Sequence, residues 1–75
     1  MNIAKNADTF RKRLKRERLK SKLSQVKLAE AIGCDHSAIS YLESGKNKTP
    51  KFQILVGAAM VFRCSIDYLC GVKNE

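Results

Sequence analysis

Residues 25–42, QVKLAEAIGCDHSAISYL, carry the spacing that decides the fold. With Gln25 as position 1, small or apolar residues occupy positions 5, 9, 15 and 18, which are Ala29, Gly33, Ile39 and Leu42. A small residue at position 5 lets two helices cross closely, and glycine at position 9 allows the positive φ of a tight turn. The last two share one face of the second helix and would hold it against a core. The pattern predicts two helices joined by a three-residue turn, and a plain helical hairpin with the same residues stays open as the alternative.

Capping residues set the bounds of these two helices. Ser24 offers a side-chain acceptor to the first N–H groups of a helix over Gln25–Ile32, and Asp35 does the same for a helix over His36–Ser44. Gly45 is expected to end the second helix in a left-handed cap.

Three further helices are predicted outside this stretch, and no segment alternates apolar and polar residues as a strand would. Asp8 or Thr9 can cap a first helix that ends near Ser21, with the apolar residues Phe10, Leu14 and Leu19 at helical spacing. A fourth helix buries the stripe Phe52, Leu55, Ala58, Ala59 and Phe62. Ser65 caps a short fifth helix with Ile66 and Leu69 inward. The chain is therefore predicted to be an all-α, compact five-helix domain.

The length and charge of the chain limit its function. Its 75 residues form a single domain with too small a core for a large substrate cavity. It has 15 Lys and Arg against 7 Asp and Glu, a net charge of +8 that favours a polyanionic partner. No apolar run is long enough to cross a bilayer, and no hydrophobic leader follows Met1. Three cysteines without a CxxC pair suggest neither a disulfide framework nor a zinc site. We expect a cytoplasmic protein with no cofactor, no metal, no membrane contact and no small-molecule substrate.

Catalysis is not expected. Asp35, His36 and Ser37 have the residue types of a hydrolase triad, but neighbours on a helix point about 100° apart and cannot form a relay. No glycine-rich phosphate loop or metal-spaced cluster occurs elsewhere in the sequence.

Two segments resemble the phage-repressor (XRE, Cro-like) helix-turn-helix family. LSQVKLAEAIGCDHSAISYLESGK, residues 23–46, looks like its bihelical unit with the following loop, and CSIDYLCG, residues 64–71, is similar to its closing helix. The resemblance implies a lambda-repressor-like DNA-binding domain, which we place at residues 9–71 between an N-terminal arm (1–8) and a short tail (72–75). The family often has glycine where this chain has Lys22 and Arg63. Since a left-handed non-glycine residue is strained, we expect these two helix ends to be built differently.

The second helix of a helix-turn-helix enters the major groove of DNA. The resemblance places base contacts at His36, Ser37 and Tyr41, and Ser40 lies on the same exposed face. Their hydroxyl and imidazole groups can donate or accept, but none is the arginine or glutamine that makes the strongest bidentate base contacts. The sequence therefore predicts a reading surface without naming a target sequence.

Phosphate contacts are predicted around this surface. The candidates are the lysines of the loop after the second helix and the residues that open the first: Lys46, Lys48, Lys51, Ser24 and Gln25. Arg18 lies four residues after Leu14, on an inward face, so its charge needs a partner. The resemblance assigns Glu43 as that partner in a structural ion pair.

These features together predict a sequence-specific transcriptional regulator of double-stranded DNA, most simply a repressor that binds a near-palindromic operator as a homodimer. Its dimer surface would use the few apolar residues near the C-terminus, such as Ile66, Leu69 and Cys70. An antitoxin or a restriction-modification controller protein with the same fold is the alternative. A cationic binder of membrane surfaces or RNA is a third interpretation, which predicts no preference among DNA sequences.

Overall fold

The computed structural model describes residues 3–72, which contain five helices and no strand. The helices are α1 (Ile3–Lys20), α2 (Gln25–Ile32), α3 (His36–Ser44), α4 (Phe52–Phe62) and α5 (Ile66–Leu69). The bounds of α2 and α3 are those that the capping residues predict. The all-α, five-helix prediction is confirmed.

The core is built from side chains of all five helices. The largest fully buried side chains are Leu14, Leu28, Ile39, Leu42 and Leu69. Ile54 and Ala58 of α4 close the core from the remaining side, with exposures of 4% and 0%. Burying each large aliphatic side chain contributes about 1.5–3 kcal/mol, so these few residues supply much of the drive to fold.

The turn between α2 and α3 follows the predicted sterics. Gly33 has φ of 89°, and the N–H groups of Gly33 and Cys34 both donate to the carbonyl of Ala29, at 2.8 and 3.0 Å. Ser24 Oγ accepts the N–H of Lys27 at 3.0 Å and so caps α2. Asp35 occupies the capping position of α3, but its side chain accepts no capping hydrogen bond.

Helices α2 and α4 approach each other closely at Ile32, the residue before the turn. A methyl group built on Gly57 would lie 2.8 Å from Cγ2 of Ile32. Only glycine therefore lets the two helices meet at this distance without a shift.

The start of α1 corrects the sequence prediction. The helix begins at Ile3, so the cap predicted at Asp8 or Thr9 is wrong, and residues 3–8 of the predicted arm are helical. Asp8 pairs instead with Arg11 at 2.6 Å, and this hydrogen bond lowers the pKa of its carboxyl. Asn6 Nδ2 donates to the carbonyl of Cys70 at 2.8 Å, which ties the first turns to the end of α5. Met1, Asn2 and residues 73–75, the rest of the predicted arm and tail, lie outside the described residues.

Two apolar residues predicted to be inward face solvent. Leu19 is 57% exposed, because the buried stripe of α1 runs through Phe10, Leu14 and Arg18, and the next residue points about 100° away. Phe52 is 77% exposed, because it lies two residues before the buried Ile54 and so on the opposite side of α4.

Contacts between α1 and α5 centre on Tyr68, a core residue that the periodicity did not identify. Its hydroxyl donates to Glu17 Oε2 at 3.0 Å, and the Arg13 guanidinium lies 4.5 Å from the centre of its ring. Burial, and then the hydrogen bond to Glu17, raise the pKa of the Tyr68 hydroxyl. Leu69 is fully buried beside it, so this residue cannot serve the dimer surface predicted at the C-terminus.

The ends of α1 and α4 adopt left-handed backbone despite the absence of glycine. Lys22 has φ of 60° and Arg63 has φ of 55°, so the expectation of a different construction is wrong. At Arg63 the N–H groups of this residue and of Cys64 donate to the carbonyl of Ala59, which ends α4 in the usual way. The hydrogen bonds of the helix end therefore hold a strained residue in place.

We predict that Lys22→Gly and Arg63→Gly each raise the free energy of unfolding by about 1 kcal/mol, because glycine relieves the left-handed strain. Lys22→Ala and Arg63→Ala keep the Cβ atom and serve as matched controls for the lost charge. Urea denaturation followed by circular dichroism measures both series. A glycine variant no more stable than its alanine counterpart would show that the strain is negligible.

A buried ion pair joins α1 to α3. Arg18 Nε and Nη2 donate to the two carboxylate oxygens of Glu43 at 2.6 and 2.9 Å, while the two residues are only 8% and 7% exposed. Arg18 Nη1 donates to the carbonyl of Leu23 at 2.8 Å, and Gln25 Nε2 donates to Glu43 Oε1 at 3.1 Å. The hydrogen bonds that Arg18 donates to the Glu43 carboxylate raise the pKa of Arg18. The pair thus connects α1, the α1–α2 connection, α2 and α3.

We predict that Glu43→Ala lowers the free energy of unfolding by about 3 kcal/mol, because it leaves the Arg18 charge buried without its partner. The matched control is Glu30→Ala, which removes an exposed pair with Lys27 (3.5 Å) and should change stability by less than about 0.5 kcal/mol. Thermal unfolding of both variants gives the comparison. Equal, small losses would mean that the Arg18–Glu43 pair contributes no more than a surface pair.

Candidate nucleic-acid interface

The outer face of α3 is polar and its inner face is buried. Ile39 and Leu42 are 0% and 1% exposed, and they anchor the helix in the core. His36 and Tyr41 are exposed on the other side, and Ser37 and Ser40 are half-buried. A single orientation of α3 therefore presents all four predicted base-contacting residues on one arc of the helix.

Two surface depressions flank this arc. One is lined by Ser37 and Tyr41 of α3, by Gln53 of α4, and by Asn47 and Lys51 of the loop between these helices. This flank brings two predicted base-contacting residues together with a predicted phosphate contact.

The other flank contains Ser40, Gln25 and the carboxylate of Glu43, with Lys15 of α1 at its edge. Gln25 is half-buried here because its amide nitrogen donates to Glu43. Its side chain therefore belongs to the ion-pair network, while the first backbone N–H groups of α2 have no acceptor within the helix. Those N–H groups, together with the hydroxyl of Ser24 at the cap, are what this end of α2 can offer to an anion.

The loop after α3, residues 45–51, is tied to Tyr41. Asn47 N–H and Ser44 Oγ donate to the Tyr41 carbonyl at 3.0 and 3.2 Å. Lys46 Nζ lies 4.5 Å from the centre of the Tyr41 ring, a cation–π contact. The Lys46 charge thus restricts the ring of a predicted base-contacting residue. Lys48 and Lys51 are exposed without an ion-pair partner within 4.0 Å among the described residues.

Several polar side chains that the sequence did not single out border the same surface. Asn47 and Gln53 lie on the Tyr41 flank, and Lys15 and Ser44 lie on the Ser40 flank. Arg11 lies beside the end of α3, since a methyl group on Gly45 would come 3.3 Å from its Cδ. Of these residues, the sequence pattern alone could have identified Ser44, which shares the polar face of α3. The others reach this surface through the packing of α1, α4 and the loop against α3.

The described residues around this surface offer hydrogen-bonding groups and charged side chains. Burial, and then the neighbouring Asp35, raise the pKa of the Cys34 thiol in the turn, which keeps it protonated near neutral pH. Within residues 3–72 no three His, Cys, Asp or Glu side chains gather as a metal site would require. No helix in this range is long and apolar enough to cross a membrane.

A comparison with known families agrees with this geometry. A family model described as "Helix-turn-helix" matches residues 14–69, from the middle of α1 to the end of α5. The match covers about three quarters of the chain, and it includes the turn, α3 and the loop that follows. The proteins of this family are DNA-binding regulators and are not typically enzymes. The chain belongs to the XRE-type, phage-repressor-like helix-turn-helix family of DNA-binding transcriptional regulators.

Proposed function

We propose that this protein is a cytoplasmic repressor that binds a near-palindromic operator as a homodimer and blocks the access of polymerase to promoter DNA. The observation that carries the proposal is the outer face of α3, where His36, Ser37, Ser40 and Tyr41 face outward while Ile39 and Leu42 fix the helix in the core. A helix held in this way can enter the major groove without first becoming ordered, which favours binding. Steric occlusion of a promoter requires no catalytic group.

In this proposal the base contacts come from both ends of the arc. His36 can donate to a guanine acceptor, Ser37 can donate or accept, and the Tyr41 ring can contact a thymine methyl group. Ser40 lies between them and is half-buried. Because hydroxyl groups accept several base patterns, each contact discriminates modestly and the whole face must act together.

Phosphate contacts supply most of the affinity. Lys51 borders the Tyr41 flank, and Lys48 belongs to the same exposed loop. The start of α2, where Ser24 is the cap and Gln25 borders the Ser40 flank, provides N–H donors on the other side. Contacts on both sides of α3 would hold the helix in the groove from two backbone strands. Each lysine that neutralises a phosphate releases counterions, so affinity falls steeply with salt.

Selection from random duplexes, repeated at two salt concentrations, tests the proposal directly. An enriched inverted repeat with half-sites about one helical turn apart supports it. Binding without any enriched motif would favour the non-specific cationic binder, and tight co-purification of a second protein would favour the antitoxin.

We predict that Tyr41→Ala weakens binding to the selected operator about tenfold while leaving affinity for random duplex unchanged, because it removes a base contact of about 1–3 kcal/mol. Met60→Ala is the control, since Met60 is 73% exposed on α4 and borders neither flank of α3. Fluorescence anisotropy with both duplexes measures the ratio. An equal loss on both duplexes would place Tyr41 among the backbone contacts instead.

We also predict that Lys46→Met and Lys48→Met each reduce the salt slope of binding by about 1, as the loss of one phosphate contact does. Only Lys46→Met should also relax the preference for operator over random duplex, because its charge restricts the Tyr41 ring. Lys20→Met, at the far end of α1 beside Arg63, is the control and should change neither quantity. Identical effects of the Lys46 and Lys48 variants would show that the cation–π contact has no part in reading bases.

A further inference from the structure

Three exposed cations surround a depression on the side of α1 that faces α5. The depression, about 320 Å³, lies between the second half of α1, the end of α4 and α5. It is lined by Arg16, Lys20 and Arg63, and no carboxylate of the described residues lies within 4.0 Å of their charged nitrogens. Glu17 also lines the depression, but its carboxylate accepts the hydroxyl of Tyr68 at 3.0 Å. Positive charge therefore predominates here, without an ion-pair partner in the described part of the chain.

Arg63 lies at this depression in a strained backbone conformation. Its φ of 55° is left-handed, which strains every residue that has a Cβ atom. Burial of the side chain does not offset this strain, because Arg63 is exposed and its guanidinium has no ion-pair partner among the described residues. Residues held in strained backbone cluster at functional sites, so the strain points to a use for this side chain.

The depression lies away from the proposed DNA-reading surface. Lys15 borders the Ser40 flank of α3, whereas Glu17, two residues later, points to the opposite side of α1. Neither flank of α3 shares a lining residue with the depression. A domain bound to DNA through α3 would therefore still present the three cations to solvent.

Exposed apolar side chains accompany these cations. Leu19 follows Arg16 by one turn of α1 and is 57% exposed, and Met60 precedes Arg63 by one turn of α4 and is 73% exposed. Each therefore shares a helix face with a cation. Phe62, which is half-buried, adds an apolar wall to the depression. Phosphates would pair with the cations but would leave these apolar groups against a polar backbone, so a partner with both acidic and apolar side chains fits better.

We propose that this surface binds an acidic amphipathic segment of another protein. The surface, which we call the α1–α4 face, consists of Arg16, Leu19, Lys20, Met60 and Arg63. Carboxylates of the segment pair with the three cations, and its apolar side chains cover Leu19 and Met60. Because one exposed ion pair contributes little, several pairs and the apolar contacts act together. The inference goes beyond DNA binding and does not depend on it.

Binding of a labelled peptide tests the α1–α4 face directly. The probe is a fluorescein-labelled peptide of about 15 residues, with Glu and Leu repeated at helical spacing along one face. Its affinity is measured by fluorescence anisotropy at about 0.15 M salt. Replacing all three cations by glutamine should weaken binding about tenfold, because three exposed ion pairs are lost together. This variant carries Arg16→Gln, Lys20→Gln and Arg63→Gln. No binding of the peptide by the wild-type protein would overturn the proposal.

A matched control removes the same number of charges outside the depression. It replaces three exposed lysines that do not line it: Lys12→Gln, Lys22→Gln and Lys27→Gln. This control should weaken peptide binding by less than about twofold, because its charges form no pair with the peptide. Equal losses in the two triple variants would show that the peptide responds to net charge alone, and would overturn the α1–α4 face.

Single substitutions of Arg63 separate binding from stability. Arg63→Gly, which we expect to stabilise the fold, should still weaken peptide binding about threefold because it removes one ion pair. Arg63→Lys keeps the charge at the end of α4 and should bind within about twofold of the wild type. Urea denaturation of the same samples reports their stability. If Arg63→Gly binds the peptide as tightly as the wild type does, the role assigned to Arg63 is overturned.

A competition experiment distinguishes a protein partner from a second DNA duplex. Protein saturated with a short random duplex should bind the peptide within about threefold of the free protein, because salt screens charges separated by more than about 8 Å. Displacement of the peptide by the duplex would make the α1–α4 face part of the DNA-binding surface and would overturn the proposal. Because the titration of free protein with peptide involves no DNA, it can succeed or fail independently of the proposed repressor function.

Discussion

The hydrogen-bonded ion pair between Arg18 and Glu43 fixes the position of α3 relative to the rest of the domain. It spans from α1 to α3 at 2.6 and 2.9 Å, and the same two side chains also hold the Leu23 carbonyl and the Gln25 amide. A buried pair of charges is not an efficient source of stability, because desolvation offsets most of its Coulomb energy. Its geometric demand is strict, however, since both carboxylate oxygens must meet the guanidinium at once. We interpret the pair as the element that selects one orientation of α3 in a small core that apolar contacts alone would define loosely.

The orientation of α3 matters because this helix packs in the core and also carries the proposed reading surface. Ile39 and Leu42 are fully buried, and Tyr41 between them is 44% exposed. A rotation of α3 about its axis that exposed more of Tyr41 would also move Ile39 and Leu42 out of the core. The loop after α3 adds a second restraint, since it is hydrogen-bonded to the Tyr41 carbonyl and its lysine covers the Tyr41 ring. The proposed reading face is therefore ordered in the free protein, so it would lose little conformational entropy on binding DNA.

Local capping and turn residues made α2, α3 and the turn between them predictable from sequence. The start of α1 and the exposed side of α4 depend on tertiary contacts instead. The bounds of α2 could be predicted to the residue, because Ser24 and Gly33 act on their own neighbours. In the same way Gly45, with its left-handed backbone, marks the end of α3. The start of α1 could not, because Asn6 is fixed by Cys70, 64 residues away, and leaves no local capping signal. Helical spacing predicts an apolar stripe along α4, but it does not show at which residue the buried part of the stripe begins. Phe52 is therefore predicted to be buried, whereas the structure exposes it.

The candidate site shows the same division. The polar arc of α3 follows from the position of Ile39 and Leu42, so His36, Ser37, Ser40 and Tyr41 could be named from the sequence. The neighbours that decide how these residues act come from elsewhere in the chain. Lys15 and Gln53 reach the two flanks through the packing of α1 and α4, and the amide of Gln25 is turned toward Glu43. A spacing rule can give the direction of a side chain, but it cannot give the partners that a folded chain brings to it.

The composition of the proposed reading face explains why the proposed function requires two subunits. The four residues on the arc carry hydroxyl and imidazole groups and lack the bidentate partners that discriminate a base pair by about 1–3 kcal/mol each. A single half-site is then read with little selectivity, and a protein with a net charge of +8 would bind much DNA indiscriminately. Coupling two half-sites adds their discrimination, because only an inverted repeat at the correct spacing satisfies both subunits and their contact together.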